Sequence, residues 1–176
     1  MNISELKNLA ESLLETFFDA GQKAMELRNK GLKTAFKSDN SPVTNGDLEV
    51  DKLLKEKIIQ STPNIPLISE ETVNLNNNKK YINFWLVDPI DGTKEYINNQ
   101  DEFTINASLI INLEPVIGVI YAPAKKRLFY SYGNGCSFEK FEKNKIQLEC
   151  KKKNKTRRSA RCITFFRAYT RNARSS

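Results

Sequence analysis

The chain has 176 residues, 39% of them hydrophobic, which is enough for one domain with a buried core. Its formal charge of +7 sits at one end: residues 151–176 carry ten of the 28 Lys and Arg residues and no acid, leaving 18 basic against 21 acidic side chains in residues 1–150. Histidine is absent, which excludes Ser-His-Asp and Cys-His catalysis, His-ligated zinc and imidazole bases, so that carboxylates, hydroxyls and bound metal remain.

The three cysteines, Cys136, Cys150 and Cys162, are odd in number and lack C-x-x-C spacing, which argues against a disulfide framework or structural zinc and for a reducing compartment. The acidic, amphipathic start MNISELKNLAESLL is unlike a signal peptide, and no apolar run approaches about 18 residues. The expectation is a soluble, cytoplasmic protein without a transmembrane segment, with association at an inner-membrane surface left open.

From Ser4 to Lys30, Leu6, Leu9, Leu13, Phe17, Ala20, Ala24 and Leu27 recur at three- and four-residue steps, predicting one long helix capped by Ser4 and ended by Gly31. Lys33–Asn45 is polar and broken by Asn40-Ser41-Pro42, a loop or irregular hairpin, before a second helix from about Asn45 to Gln60 with Val50, Leu53, Leu54 and Ile58 toward the core. Strands are then expected at PLIS and at FWLVD, separated by the Asn- and Lys-rich turn 74–80. FTINASLII alternates, with Phe103, Ile105, Ala107, Leu109 and Ile111 on one face, and PVIGVIYAP and RLFYSY continue a three-strand meander. Beyond Gly133 there remain a Gly-rich turn and a short strand near Lys145–Leu148, and residues 151–176 read as a weakly ordered basic tail. The organisation is a domain over 1–150 plus that tail, without internal repeat. The fold class is α+β, a layered αβ sandwich in which two amino-terminal helices pack on a mainly antiparallel sheet.

Chemistry concentrates in Trp85-Leu86-Val87-Asp88-Pro89-Ile90-Asp91-Gly92-Thr93-Lys94-Glu95-Tyr96, which sets two carboxylates three apart at the exit of an apolar strand. Asp88, Asp91 and the Ile90 carbonyl can turn to one hard cation, while Gly92-Thr93 can offer N–H groups to a phosphate at the start of a short helix. The same residues also suit a plain strand-end turn, and spacing alone does not decide. Ile68-Ser69-Glu70-Glu71 ends another apolar run, so one of its carboxylates could join Asp88 and Asp91; three such groups repel one another unless a cation is present. A solvated strand end is the plainer alternative. Thr44-Asn45-Gly46-Asp47 fits a T-x-x-D capping box, and Asp47 could also bond Thr93 and work on a water.

Taken in order, K-S-D-x-S-P-V-T-x-x-D, S-E-E, W-x-V-D-P-I-D-G-T-K-E-Y and F-T-I-N-x-x-L-I…P-V-I-G-V-I-Y-A-P resemble the inositol monophosphatase superfamily, over about Ser4–Leu148. The K-S-D-x-S-P-V-T and D-G-T-K-E-Y forms are similar to its CysQ branch of 3'(2'),5'-bisphosphate nucleotidases. The resemblance implies Mg²⁺-dependent, two-metal hydrolysis of a phosphomonoester, 3'-phosphoadenosine 5'-phosphate going to AMP and phosphate. Carried over residue by residue, it implies that Glu70, Asp88 and the Ile90 carbonyl hold one Mg²⁺, and that Asp88 and Asp91 contribute to a second. Asp47 and Thr93, with Glu70, would activate the attacking water, while Glu70, Ile90, Asp91, Gly92 and Thr93 would contact the substrate phosphate. The family's later W-D-x-x-A metal motif has no counterpart, since the only Trp is Trp85 and no Asp follows Asp101. The expectation is an amino-terminal part of the fold without the carboxy-terminal α/β domain, and a feebly active or inactive chain whose tail stems from a truncated gene or a shifted frame. An inositol or sugar-phosphate phosphatase would use the same metal motifs. A nucleic-acid-binding protein acting through the basic tail is the reading from another class, although the body carries no nucleic-acid-binding pattern.

Overall fold

A computed structural model of the chain describes residues 1–71, 80–133, 135–141 and 144–149. Helix α1 spans Ile3–Lys30, and its cap is Asn2, one turn-start earlier than the Ser4 expected from the sequence. Asn2 stays extended and its Oδ1 accepts from the Glu5 N–H at 2.9 Å while Glu5 Oε2 accepts from the Asn2 N–H at 2.8 Å. That reciprocal pair satisfies two amide donors at once, which Ser4, inside the first turn, cannot do.

The polar stretch after α1 is a small antiparallel hairpin, β1 Thr34–Phe36 and β2 Pro42–Thr44, whose turn is closed by the Lys37 N–H on the Ser41 carbonyl at 2.9 Å. Helix α2, Asn45–Ser61, follows directly, with Val50, Leu54 and Ile58 buried and Leu53 partly so.

The remaining strands form one seven-stranded sheet in chain order: β3 Leu67–Ser69, β4 Phe84–Asp91, β5 Thr104–Ile111, β6 Glu114–Ala122, β7 Arg127–Tyr132, β8 Ser137–Phe141 and β9 Asn144–Gln147. Only β3 runs parallel to its neighbour, β4, and every later pair is antiparallel, as a meander requires. Strand β8 was not expected from the sequence, because SFEKF carries two adjacent charges, Glu139 and Lys140, that break any apolar alternation, and it is half-buried at best. The alternation expected through Ile111 holds: Phe103, Ile105, Ala107 and Leu109 lie in the main core with Ile111 partly buried against it, while Ile110 packs with Phe84 and Leu86 on the other face.

Helices α1 and α2 cover one face. Leu13, Phe17, Ala20 and Ala24 of α1 and Val50, Leu54 and Ile58 of α2 pack with Trp85, Val87, Leu109, Val119 and Leu128 of the sheet in one core. Trp85 is fully buried and its Nε1–H donates to Thr62 Oγ1 at 3.0 Å, so the indole has the polar partner a buried Trp needs. Among the described residues the opposite face holds a small cluster of Phe84, Leu86 and Ile110, with Ile68 and Tyr81 partly buried against it. The tail after residue 150 and most of the turn 74–80 lie outside the described residues.

Candidate functional site

The site is built at the end of β4, where the ladder with β5 slips. Asp88 pairs with Asn106 and Asp91 with Thr104, so the four residues 88–91 on β4 oppose the three residues 104–106 on β5. Side chains two apart on a regular strand share a face, and the extra residue therefore brings Asp88 and Asp91 to the same face although they are three apart. Pro89 falls inside this bulge, where a missing ladder N–H is tolerated. Ile90 turns into the core and Asp91 outward.

Glu70 reaches the same face from β3. Its N–H donates to the Val87 carbonyl at 3.1 Å, extending the parallel ladder by one residue, while buried Ser69 just before it faces α2. The negative charges of Glu70, Asp88 and Asp91 act on one another. Asp88 is pushed up to about 8, by burial first and then by the negative charges of Glu70 and Asp91. Asp91 is also raised, by burial and then by Glu70, with the Asn106 amide pulling the other way from 3.4 Å. Among the described residues no three His, Cys, Asp or Glu side chains already form a cage that a metal ion could enter unchanged. Glu70 instead leans on Lys37, whose ammonium lies 3.2 Å from Glu70 Oε1 and 2.9 Å from Glu71 Oε1.

The second part of the site grows from the cap of α2. Thr44 Oγ1 accepts from the Gly46 N–H at 3.0 Å, and Asp47 Oδ2 accepts from the Thr44 N–H at 2.8 Å and the Thr44 hydroxyl at 2.6 Å. The capping box is thus real, and it uses only one oxygen of Asp47. The other, Oδ1, faces the Thr93 hydroxyl at 3.3 Å, which also lies 3.1 Å from the Ile90 carbonyl. A hydroxyl has one proton, so Thr93 donates to one of these acceptors at a time and keeps lone pairs free. Burial raises the Asp47 carboxyl, against the opposing bonds from Thr44 and Thr93.

Glycine is required at two places here. Gly92 has φ +94° and a side chain there would meet the Glu102 carbonyl at 2.8 Å, so only Gly can start the five-residue helix α3, Thr93–Ile97. Gly46 packs under the Tyr96 ring, where an added carbon would meet the phenol oxygen at 2.5 Å. Tyr96 in turn donates to the Ala24 carbonyl at 2.6 Å, tying α3 to α1 behind the site.

The sequence reading did not single out Lys37, Asn106 or the pair Asp51 and Ser69 as site residues. Asp51 is buried on α2 one turn after Asp47, receives the Ser69 hydroxyl and pairs with Lys55 at 2.5 Å, fastening the end of β3 to the helix that carries Asp47. Its signal was a carboxylate at the i+4 position from Asp47. That of Asn106 was a polar residue between the alternating apolar positions of β5.

The sequence model of the inositol monophosphatase family matches residues 5–176, and the chain belongs to that family. It is 33% identical over 152 residues to the 3'(2'),5'-bisphosphate nucleotidase CysQ of Haemophilus influenzae, covering 85% of this chain and 55% of that protein. With the enzyme of the same name from Buchnera aphidicola it shares 37% over 147 residues, covering 81% and 56%. The chain therefore spans about half the length of these curated relatives. Among solved structures, CysQ from Bacteroides thetaiotaomicron superposes with a TM-score of 0.59 at 24% identity, over 94% of this chain and 69% of that one. The Thermotoga maritima IMPase gives 0.63 at 24% identity, over 77% and 51%. An IMPase/NADP phosphatase complexed with Mg²⁺ and phosphate gives 0.64 at 20% identity, over 78% and 51%. These likenesses establish the fold.

Proposed function

We propose that the chain carries the ion-binding and water-activating part of a Mg²⁺-dependent phosphomonoesterase of the 3'(2'),5'-bisphosphate nucleotidase type, acting on 3'-phosphoadenosine 5'-phosphate to yield AMP and phosphate. The observation that carries this reading is the bulge that sets Asp88 and Asp91 on one face beside Glu70. The donors are all oxygen, their charges raise one another's proton affinity, and Asp88 Oδ1 is buried without a hydrogen-bond partner. This is the chemistry of a site for a hard divalent cation. Glu70, Asp88, Asp91 and the Ile90 carbonyl would hold the ions, with Glu70 exchanging the Lys37 ammonium for them. Bound Mg²⁺ would supply charge neutralisation for the attacking and leaving oxygens of the phosphoryl group.

The chain's own residues do the rest. Asp47, fixed by its cap bonds, orients the Thr93 hydroxyl, which accepts a hydrogen bond from a water and aims it at the phosphorus; as the water attacks, its proton passes to Thr93 Oγ1 while the hydroxyl's own proton passes to Asp47 Oδ1, which ends protonated. The N–H groups after Gly92 hold the phosphate oxygens, with Asp91 and Ile90 beside them. The choice of a nucleotide over an inositol or sugar phosphate rests on the relatives' activity as their names give it. Residues 1–150 form the working unit and 151–176 an appendage, in the cytoplasm. The test is phosphate release from 3'-phosphoadenosine 5'-phosphate, compared with inositol 1-phosphate, over an Mg²⁺ series. Because the chain spans about half of its relatives, it is run with this chain and with this chain extended by a relative's second half. Mg²⁺-dependent turnover that is lost in Asp88→Asn supports the reading; turnover indifferent to Mg²⁺ or to Asp88→Asn sinks it.

A further inference from the structure

Among the described residues, the buried side-chain oxygens without a hydrogen-bond partner are Asp88 Oδ1 and Asn106 Oδ1. They belong to residues directly opposite one another on β4 and β5. Such partners stand side by side on one face of the sheet. The Asn106 amide cannot be satisfied by turning over. As it stands, Nδ2 donates to Asp91 Oδ2 at 3.4 Å and Oδ1 lacks a donor. Reversed, the carbonyl oxygen would meet the Asp91 carboxylate instead. A buried acceptor without a donor is costly, and two on adjacent residues call for one shared positive centre.

We propose that Asn106 is an oxygen donor of the cation site: its Oδ1 and Asp88 Oδ1 face the same divalent ion, while its Nδ2 holds Asp91 in place. A neutral carbonyl completes an oxygen shell without adding to the repulsion among Glu70, Asp88 and Asp91, which suits a hard cation better than a fourth carboxylate would. The inference rests on the site reading above and adds a ligand that the resemblance to the family did not supply.

The test is Mn²⁺ titration of the full 176-residue chain, with free ion read by electron paramagnetic resonance and metal-free melting recorded for each variant. Asn106→Ala should weaken Mn²⁺ binding by about ten- to a hundredfold. Its metal-free melting should stay level or rise, because an unpaired buried acceptor has gone. Asn106→Asp keeps an oxygen and loses the Nδ2 donor, so it should bind far better than the Ala variant. Asn106→Ala binding within about twofold of wild type overturns the proposal. So does Asn106→Asp binding as weakly as Ala, which would make the amide a mere prop for Asp91, or a collapse of metal-free melting in Asn106→Ala, which would make Asn106 a residue of the fold. If wild type takes up no Mn²⁺ that Asp88→Asn abolishes, the site reading itself falls and takes this inference with it; uptake that depends on Asp88 but ignores Asn106 removes this inference alone.

Discussion

Trp85 and Val87 on one face of β4, and Leu86 and Asp88 on the other, are sequence neighbours in opposite environments. Toward the helices, the buried polar groups among the described residues have partners: Trp85 Nε1 has Thr62, the Tyr96 hydroxyl has the Ala24 carbonyl, and buried Ser69 has Asp51. On the other face a small apolar cluster gives way to Asp88, Asp91 and Asn106, with two buried oxygens left unpartnered. The first face is complete as it stands, and the second is arranged for something that binds. Stability should therefore be governed by the helix-covered side, and response to ions by the other.

The largest effect expected from that contrast is on the helix side. Trp85→Ala should cost about 3–5 kcal/mol in urea unfolding, because it empties the space of the largest buried side chain. A loss under about 1 kcal/mol would mean that this face is not the core. Asp88→Asn should do the reverse, leaving the metal-free chain as stable or more so while weakening Mn²⁺ binding about a hundredfold, roughly 2.7 kcal/mol. Equal losses in both measurements would erase the distinction between the faces.

A graded effect follows from pH. Asp88 binds its proton more tightly in the folded chain, being pushed up to about 8 by burial and by the charges of Glu70 and Asp91, and Asp47 and Asp91 are shifted in the same direction. The stability this contributes is complete below the ordinary carboxylate range and is lost as pH rises through about 8. The urea midpoint of the metal-free chain should thus fall from about pH 5 to about pH 9, and saturating Mg²⁺, which binds the deprotonated carboxylates, should flatten the fall. A midpoint that rises over this range would contradict the placement of these groups. The smallest effect belongs to Thr62→Val, which leaves the Trp85 N–H without its acceptor and should cost about 1–2 kcal/mol in thermal or urea unfolding.

Much of this could be read directly from the chain. Helices α1 and α2 announce themselves by three- and four-residue apolar spacing, β4 to β7 by short apolar or alternating runs, and the T-x-x-D cap by composition, because each depends on residues within a turn or two of one another. The cap at Asn2 and strand β8 escaped, since a cap is chosen by backbone geometry and a half-exposed strand has little apolar pattern to show. The candidate carboxylates were visible as residue types at strand ends. Spacing left their convergence open against a plain turn, because a regular period-two strand puts residues 88 and 91 on opposite faces, and the slipped register against Asn106 and Thr104 reverses that. Lys37 against Glu70, 33 residues apart, and Asn106 against Asp91, 15 apart, were likewise settled by which strands lie side by side, a long-range choice that no local pattern encodes.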